Sequence, residues 1–344
     1  MAALTRPARV TVRGAHPGEG EAVAALWREL WDAHEAWGGY PGSHDPRVYA
    51  QLATRLDDDA RVRSGHPILG RHVHLVAALD GRPCGQVEGW FDRHGVEPTT
   101  PFTCEVRSLI VRESVRGLGA GRALLDALAG AALSLSHGAP CVLAAEVLEP
   151  NPAHSFYARV GYQPVAWAAR IDAARGAALA APGARVALPQ DALALARLES
   201  TLADRRRLGG DPRFDRPRGI DATMVGAIAA HLASDAAATL RDPATLVAVD
   251  RDGAVRATAG FTVHTLEPPF VPMRRALVGR FSVDPAFSPF DLVPPLVALA
   301  CRLALSRAAP HVELTDLSIP GSELHTAALA TGASLWSRVV ARTA

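Results

Sequence analysis

The chain has no lysine. All 36 of its Lys+Arg positions are arginine, a bias that goes with its many Ala, Gly and Pro residues and leaves no lysine amine to be modified. An excess of one charge is also missing. The 36 basic residues face 35 acidic ones, for a formal net charge of +1, which removes the bulk electrostatic case for nucleic acid or an anionic membrane as partner. Cysteine is scarce. Cys84, Cys104, Cys141 and Cys301 form no CxxC pair and most fall in apolar runs. They read as small buried residues in a reducing compartment, with no disulfide frame. Met1-Ala-Ala-Leu-Thr-Arg-Pro lacks the apolar core of a signal peptide. No apolar stretch reads as long enough to span a bilayer. The expected location is the cytoplasm.

What is present suits an ordinary globular protein. The 344 residues are enough for two domains, with 49% hydrophobic and 21% charged residues. One stretch stands out, Arg116-Gly117-Leu118-Gly119-Ala120-Gly121. It follows an apolar, strand-like run, Val106-Arg107-Ser108-Leu109-Ile110-Val111, and opens a helix-like run from Arg122. A strand, a glycine turn and a helix N-terminus together gather unpaired backbone N–H groups, and the helix dipole favours an anion there. Glycine allows positive φ and close approach of a ligand. The ligand this suits is a phosphate or pyrophosphate; a plain packed turn is the alternative.

A second motif lies downstream, Glu149-Pro150-Asn151-Pro152-Ala153-His154-Ser155-Phe156-Tyr157, closing on Gly161-Tyr162. It reads as an Asn/Pro turn, a short helix and a glycine break between two strands. In this order the two motifs resemble the GNAT superfamily of N-acetyltransferases, over roughly the first half of the chain. Arg116, Gly119 and Gly121 match that family's pyrophosphate motif, and Phe156, Tyr157 and Gly161 match its later one. Asn151 sits one residue closer to the tyrosine than the family pattern has it.

The resemblance implies a mixed α/β (α+β) fold with a mostly antiparallel central sheet flanked by helices. It also implies acetyl-CoA as cosubstrate, and no metal is called for. The pyrophosphate would rest on Arg116, Gly117, Leu118, Gly119, Ala120, Gly121 and Arg122. The pantetheine arm would lie along Leu109, Ile110 and Val111, where the strand splays from its neighbour. Phe156 and Asn151 would border the cofactor, although an asparagine before proline is also a local cap. Tyr157 would be the general acid for the departing thiolate, against the alternative of a packing aromatic. Glu105, in an otherwise apolar strand, would be the general base, with Glu146 and Glu88 as the other carboxylates and an ion pair with Arg107 as the non-catalytic alternative.

The acceptor would be a primary amine of a small molecule or peptide. The segment from His34 to Asp45 would border it, with Trp37 and Tyr40; Trp90 and Phe91 would add a wall, and Glu88, on a strand bordering the cleft, would also face the acceptor. His72 and His74 share a strand face, but two histidines without a third ligand do not make a metal site. Arg205-Arg206-Arg207 and the arginines from Arg213 to Arg218 read as a basic patch or a solvated face.

The pattern restarts after an Ala/Gly/Pro-rich linker at 173–184. Ala184-Arg185-Val186 echoes Ala8-Arg9-Val10, and Val278 to Val283 echoes Val106 to Val111. An internal repeat changes the fold reading. Residues 1–172 are expected to be a catalytic unit and 185–344 a degenerate second copy. Aligned on the strand, Ser288, Asp291 and Val293 replace Arg116, Gly119 and Gly121, and Pro294 and Pro295 open the helix. Leu277 replaces Glu105 and Ala328 replaces Tyr157. The second copy is expected to pack on the first, closing the acceptor cleft or forming a homodimer contact. A non-catalytic acyl-CoA-binding or sensing protein is the alternative. A dinucleotide enzyme does not fit, because the glycines lack a βαβ setting and a ribose acid.

Overall fold

The computed structural model describes residues 10–93, 102–214, 219–236, 243–318 and 321–344. Residues 215–218 of the arginine-rich run and residues 8 and 9 of the echoed Ala8-Arg9-Val10 stretch lie outside these.

The first half runs β1 (Val10–Arg13), α1 (Gly20–Ala36), α2 (Pro46–Arg63), β2 (Ile68–Leu69), β3 (His72–Leu79), β4 (Arg82–Arg93), β5 (Phe102–Val111), α3 (Ala120–Leu135), β6 (Cys141–Leu148), α4 (His154–Arg159) and β7 (Gln163–Asp172). The second runs α5 (Ala173–Ala177), β8 (Ala184–Val186), α6 (Ala192–Leu208), α7 (Ala222–Ala236), β9 (Ala244–Val249), β10 (Val255–Leu266), β11 (Met273–Val283), α8 (Pro289–Ser306), β12 (His311–Leu317), α9 (Glu323–Ala330) and β13 (Ser334–Thr343). The stretch 173–184, expected to be linker, thus holds α5 and ends on the first residue of β8.

Local chemistry accounts for these elements. In α1 the helical stripe Val23, Leu26, Trp27, Leu30 and Trp31 is buried. α2 starts where the Asp45 side chain accepts from the Arg47 N–H with Pro46 in the first turn, and it ends at Ser64 in the left-handed region. Period-two alternation sends Val73, Leu75, Val87, Cys104, Val106, Leu143 and Ala145 into one core with Leu124, Leu125 and Leu128 of α3. Val76 and Ile110 face the other way, into a core with α1 and α2. The sheet therefore has an inner face under α3 and α4 and an outer face under α1 and α2.

One continuous sheet crosses the molecule in the order β1-β3-β4-β5-β6-β13-β7-β12-β11-β10-β9-β8, with β2 paired to β3. The pairs β5·β6 and β11·β12 are parallel. The two halves mirror each other in this order, with one exchange. β13, the last strand of the second half, lies between β6 and β7, and β7 lies against β12. Each half has handed its terminal strand to the other. The repeat extends to the backbone: Ser108 and Arg280 both take positive φ at a bulge, 54° and 57°, and Gly161 and Gly332 both sit at 89°.

The reading that no apolar stretch reaches membrane-spanning length needs a correction. α8 is long and apolar enough by length and composition. Its residues Leu292, Val293, Leu296, Val297, Ala300 and Cys301 are the centre of the second core, which explains why it is apolar on so many sides.

Val340 of β13 is buried in the core of the first half. Val340→Ala should lower stability by about 1–3 kcal/mol, between the Ile→Val and Leu→Ala ranges for buried positions, and should move a single calorimetric transition as a whole. Two separable transitions, with one unmoved, would contradict the strand exchange.

Candidate active site

After β5 the chain makes a turn of 3-10 helix at Glu113–Val115 and reaches the glycines. Gly117 and Gly119 adopt φ of 85° and 86°, with open space where a Cβ would stand. Gly119 is the residue before α3, and no side chain caps that helix. Among the described residues, no acceptor pairs with the backbone N–H groups of 117–122, whereas those of Val115 and Arg116 are bonded locally. Six consecutive free donors at a helix N-terminus form an anion cradle. Its floor is tight. A Cβ on Gly121 would lie 3.1 Å from the Phe156 ring, which seats α4 against the cradle. Leu118 is exposed, and Arg116 folds back so that its Nε donates to the Val111 carbonyl at 3.0 Å. An anion bound there would displace no protein hydrogen bond of those six donors.

The cradle opens onto a cleft between strands. β5 and β6 pair from Phe102↔Cys141 to Val106↔Ala145 and then part. On its other side β5 stays on β4, with a bulge between the pairs Glu88↔Arg107 and Gln86↔Ile110. The β6-facing backbone groups of 107–111, which include Leu109, Ile110 and Val111, are thereby left without a strand partner. An amide-rich arm leaving the cradle would run from Val111 toward Arg107, about 13 Å at ~3.3 Å per residue, and end where the strands meet.

On the inner face, Tyr157 in α4 is buried against Phe156 and Tyr162, with ring centroids at 5.6 Å and 5.2 Å. Burial pushes its hydroxyl well above the usual tyrosine range. Asn151 is an Asx cap: its Oδ1 accepts from the Ala153 N–H at 2.9 Å.

Three carboxylates of the first half lie on the outer face near the cleft. Glu105 is exposed and ion-paired with Arg107 at 2.6 Å, the arrangement that stood as the alternative to a base. Glu88 is enclosed. Ser108 Oγ donates to it at 3.2 Å, and His72 Nε2 lies 3.2 Å away. Arg63 sits 2.6 Å from His72 Nδ1. Since guanidinium only donates, Nδ1 must accept and Nε2 carries the proton. Burial pushes the Glu88 carboxyl up, but His72, His74 and Ser108 bring it below the usual carboxylate range. His74 itself bonds Gln86, and among the described residues no group of three His, Cys, Asp or Glu could hold a metal. Trp90 is exposed and stacks on His72 at 4.4 Å. Glu146, on β6, accepts from Ser337 Oγ at 2.5 Å and lies 4.0 Å from Arg275.

The segment expected to border the acceptor is pinned by the second half. Ser43 N–H donates to the Pro269 carbonyl at 2.7 Å, Val271 N–H to Pro41 at 3.0 Å, and Phe270 packs on Trp31 at 4.3 Å. The Tyr40 hydroxyl donates to Glu313, whose side chain is fully buried. Tyr40 is therefore a clamp on this loop, while Trp37 stays half-buried after α1. Arg170 of β7 and Arg275 of β11 hold the same carboxylate, and Arg170 stacks on Trp336 with its guanidinium carbon 3.2 Å from the ring centroid. Sequence reasoning missed Glu313, Arg275, Trp336 and Ser337. Arg275 and Glu313 are 38 residues apart, their partners in the first half lie more than a hundred residues away, and no spacing rule links them.

The second half has closed its copy of this cleft. The expectation that Pro294 and Pro295 open the helix is corrected: α8 begins at Pro289, with Ser288 as its cap, so the glycine turn has become helix. Asp291 lies in its first turn. Past the last pair of β11 and β12, Val278↔Leu314, Thr315 Oγ1 donates to the Val278 carbonyl at 3.4 Å. Arg205 then bonds the Phe281 carbonyl at 2.5 Å, and Arg206 bonds that of Asp316. Arg213 joins Asp211 and Asp316 at 2.8 and 3.4 Å. These arginines were read as a surface patch. Arg206 is only 4% exposed, because α6 lays its last turn across the gap and the guanidinium groups fill it.

Residues 24–162 match the model of the acetyltransferase (GNAT) family. The whole chain is similar to two solved structures. One is a tandem GNAT protein from the clavulanic acid biosynthesis pathway, with 18% identity, a TM-score of 0.52 and 98% of each chain covered. The other is a GCN5-related N-acetyltransferase from Sphaerobacter thermophilus, with 17% identity, a TM-score of 0.58, and 98% of this chain and 97% of that one covered. No curated protein matches the sequence. The family match lies within the first half of the chain, and the whole chain shares the fold of these two structures.

Gly119→Asp would put a carboxylate among the six free donors and force positive φ on a side chain. Calorimetry should show CoA binding weakened at least tenfold, on the order of 1.4 kcal/mol. Parent-like affinity would move the phosphate site elsewhere.

Proposed function

We propose that the protein is an N-acetyltransferase that carries an acetyl group from acetyl-CoA to a primary amine of a small molecule or peptide. The observation that carries this reading is the cradle of six free N–H groups at 117–122 beside a strand edge left unpaired at 107–111. A diphosphate followed by an amide-bearing arm is the ligand shape that such a surface suits. The amine nitrogen attacks the thioester carbonyl directly, the C–N bond forms, and the C–S bond breaks. The amine loses a proton to a carboxylate on the outer face, and the departing thiolate receives one from the Tyr157 hydroxyl on the inner face. Burial keeps that hydroxyl protonated at any working pH. Backbone N–H groups near Ile110 would polarise the carbonyl oxygen.

The second half serves as scaffold in this reading, holding the acceptor-side loop through Pro269, Phe270 and Glu313, and it binds no CoA. One CoA per chain is the expected stoichiometry. A thiol-release screen with acetyl-CoA and a panel of an aminoglycoside, an amino-acid amide and a peptide N-terminus tests the activity. Tight CoA binding with no thiol released by any of them would favour the sensing alternative. Tyr157→Phe should keep the affinity for CoA and lower kcat by about 10²–10⁴-fold, the usual contribution of a general acid. An unchanged kcat would remove Tyr157 from the chemistry.

A further inference from the structure

We infer that Glu146 takes the proton from the acceptor amine, and that the second half of the chain sets it for that task through Ser337 and Arg275; this rests on the acetyl-transfer reading above. The sheet register carries the argument. The β5–β6 ladder ends at Val106↔Ala145, so Glu146 is the first residue past the point where the strands part. Its side chain leaves on the outer face, like Val142 and Ala144 of the same strand. An acyl arm running from the cradle along 111 to 107 ends at this fork. Of the three carboxylates, Glu146 is the one on the strand facing the arm across the fork.

The other two are already engaged. Glu105 is ion-paired with Arg107. Glu88 is enclosed by His72, His74 and Ser108 and held in its charged form. Glu146 has one oxygen on Ser337, and its side chain is 42% exposed. Arg275 is 4.0 Å from Glu146 but bonds chiefly to Glu313, so it steadies Glu146 without neutralising it. Partial desolvation by the surrounding protein raises the Glu146 carboxyl above its usual range. Arg275 on β11 and Ser337 on β13 oppose that, and Glu313 on β12 and Glu105 on β5 add to it. A carboxylate of raised proton affinity at the reacting end suits proton removal from an ammonium. The neutral amine then attacks, and Glu146 releases the proton to the solvent it faces. In the second half the corresponding position is Thr315, which accepts no proton and closes the strand gap instead.

The test uses the full chain, the best amine from the panel, and hydroxylamine, which is already unprotonated at neutral pH. Glu146→Gln should lower kcat for the alkyl amine by about 10²–10⁴-fold, leave CoA affinity unchanged, and retain most acetyl transfer to hydroxylamine. Glu105→Gln should stay within a few-fold of the parent. Ser337→Ala removes a donor to the charged carboxylate, so the acidic limb of the kcat/KM profile should move to higher pH. Parent-like kcat in Glu146→Gln, or equal losses with both nucleophiles, would overturn the assignment while acetyl transfer stands. A parent that binds acetyl-CoA and acetylates neither the amines nor hydroxylamine would overturn the transfer reading and this inference with it.

Discussion

The insertion of β13 between β6 and β7 is the constraint on which the rest of the molecule depends. A strand inside a sheet must satisfy donors and acceptors on both edges. β13 does so with β6 through seven residue pairs and with β7 through seven more. Without it, β6 would present a bare edge beside the cleft, and β7 would be tied only to β12. The two halves are therefore not beads on a string. The first half's candidate site is walled on one side by a strand from the far end of the chain, and Ser337 on it reaches Glu146, 191 residues away.

A second constraint grows from the first. Glu313 is a fully buried carboxylate, and a buried charge survives only when paired and hydrogen-bonded. Its three partners come from separate parts of the chain: Tyr40 from the loop after α1, Arg170 from β7 and Arg275 from β11. Losing the Tyr40 hydroxyl would remove a hydrogen bond from the buried carboxylate, and losing either arginine would leave it a single cationic partner. The α1–α2 loop is thus locked to the second half by electrostatics as well as by its backbone bonds to the 269–271 segment. The side of the molecule formed by the α1–α2 loop takes its shape from the junction of the two halves.

The two copies have diverged in opposite directions from one plan. Both have a parallel ladder that ends after a few pairs and a bulge with positive φ at Ser108 or Arg280. In the first copy the fork stays open and the turn before α3 keeps its donors free. In the second, Thr315, Arg205 and Arg206 tie the strands together, and α8 extends backward over the turn. The same backbone geometry can thus offer a binding surface or a braced core. Side chains at a few positions decide between them.

Much of this was written locally. Gly117, Gly119 and Gly121 announce the cradle because only glycine tolerates that φ and that proximity to Phe156. The stripe of Val23, Leu26, Trp27, Leu30 and Trp31 announces α1, and the echo of Val106–Val111 in Val278–Val283 announces the repeat down to the residue at each bulge. These features depend on neighbours within a turn or a strand, so spacing reveals them. The exchange of β7 and β13, the buried junction around Glu313, the burial of Arg206 and the engagement of Glu105 by Arg107 depend on which distant segments meet. The amino-acid order by itself determined the elements, the repeat and the anion cradle, through backbone conformation and hydrophobic period. Only the tertiary structure decided which carboxylate faces the fork and who touches it, because a side chain's charge state and availability are set by partners that no local pattern encodes.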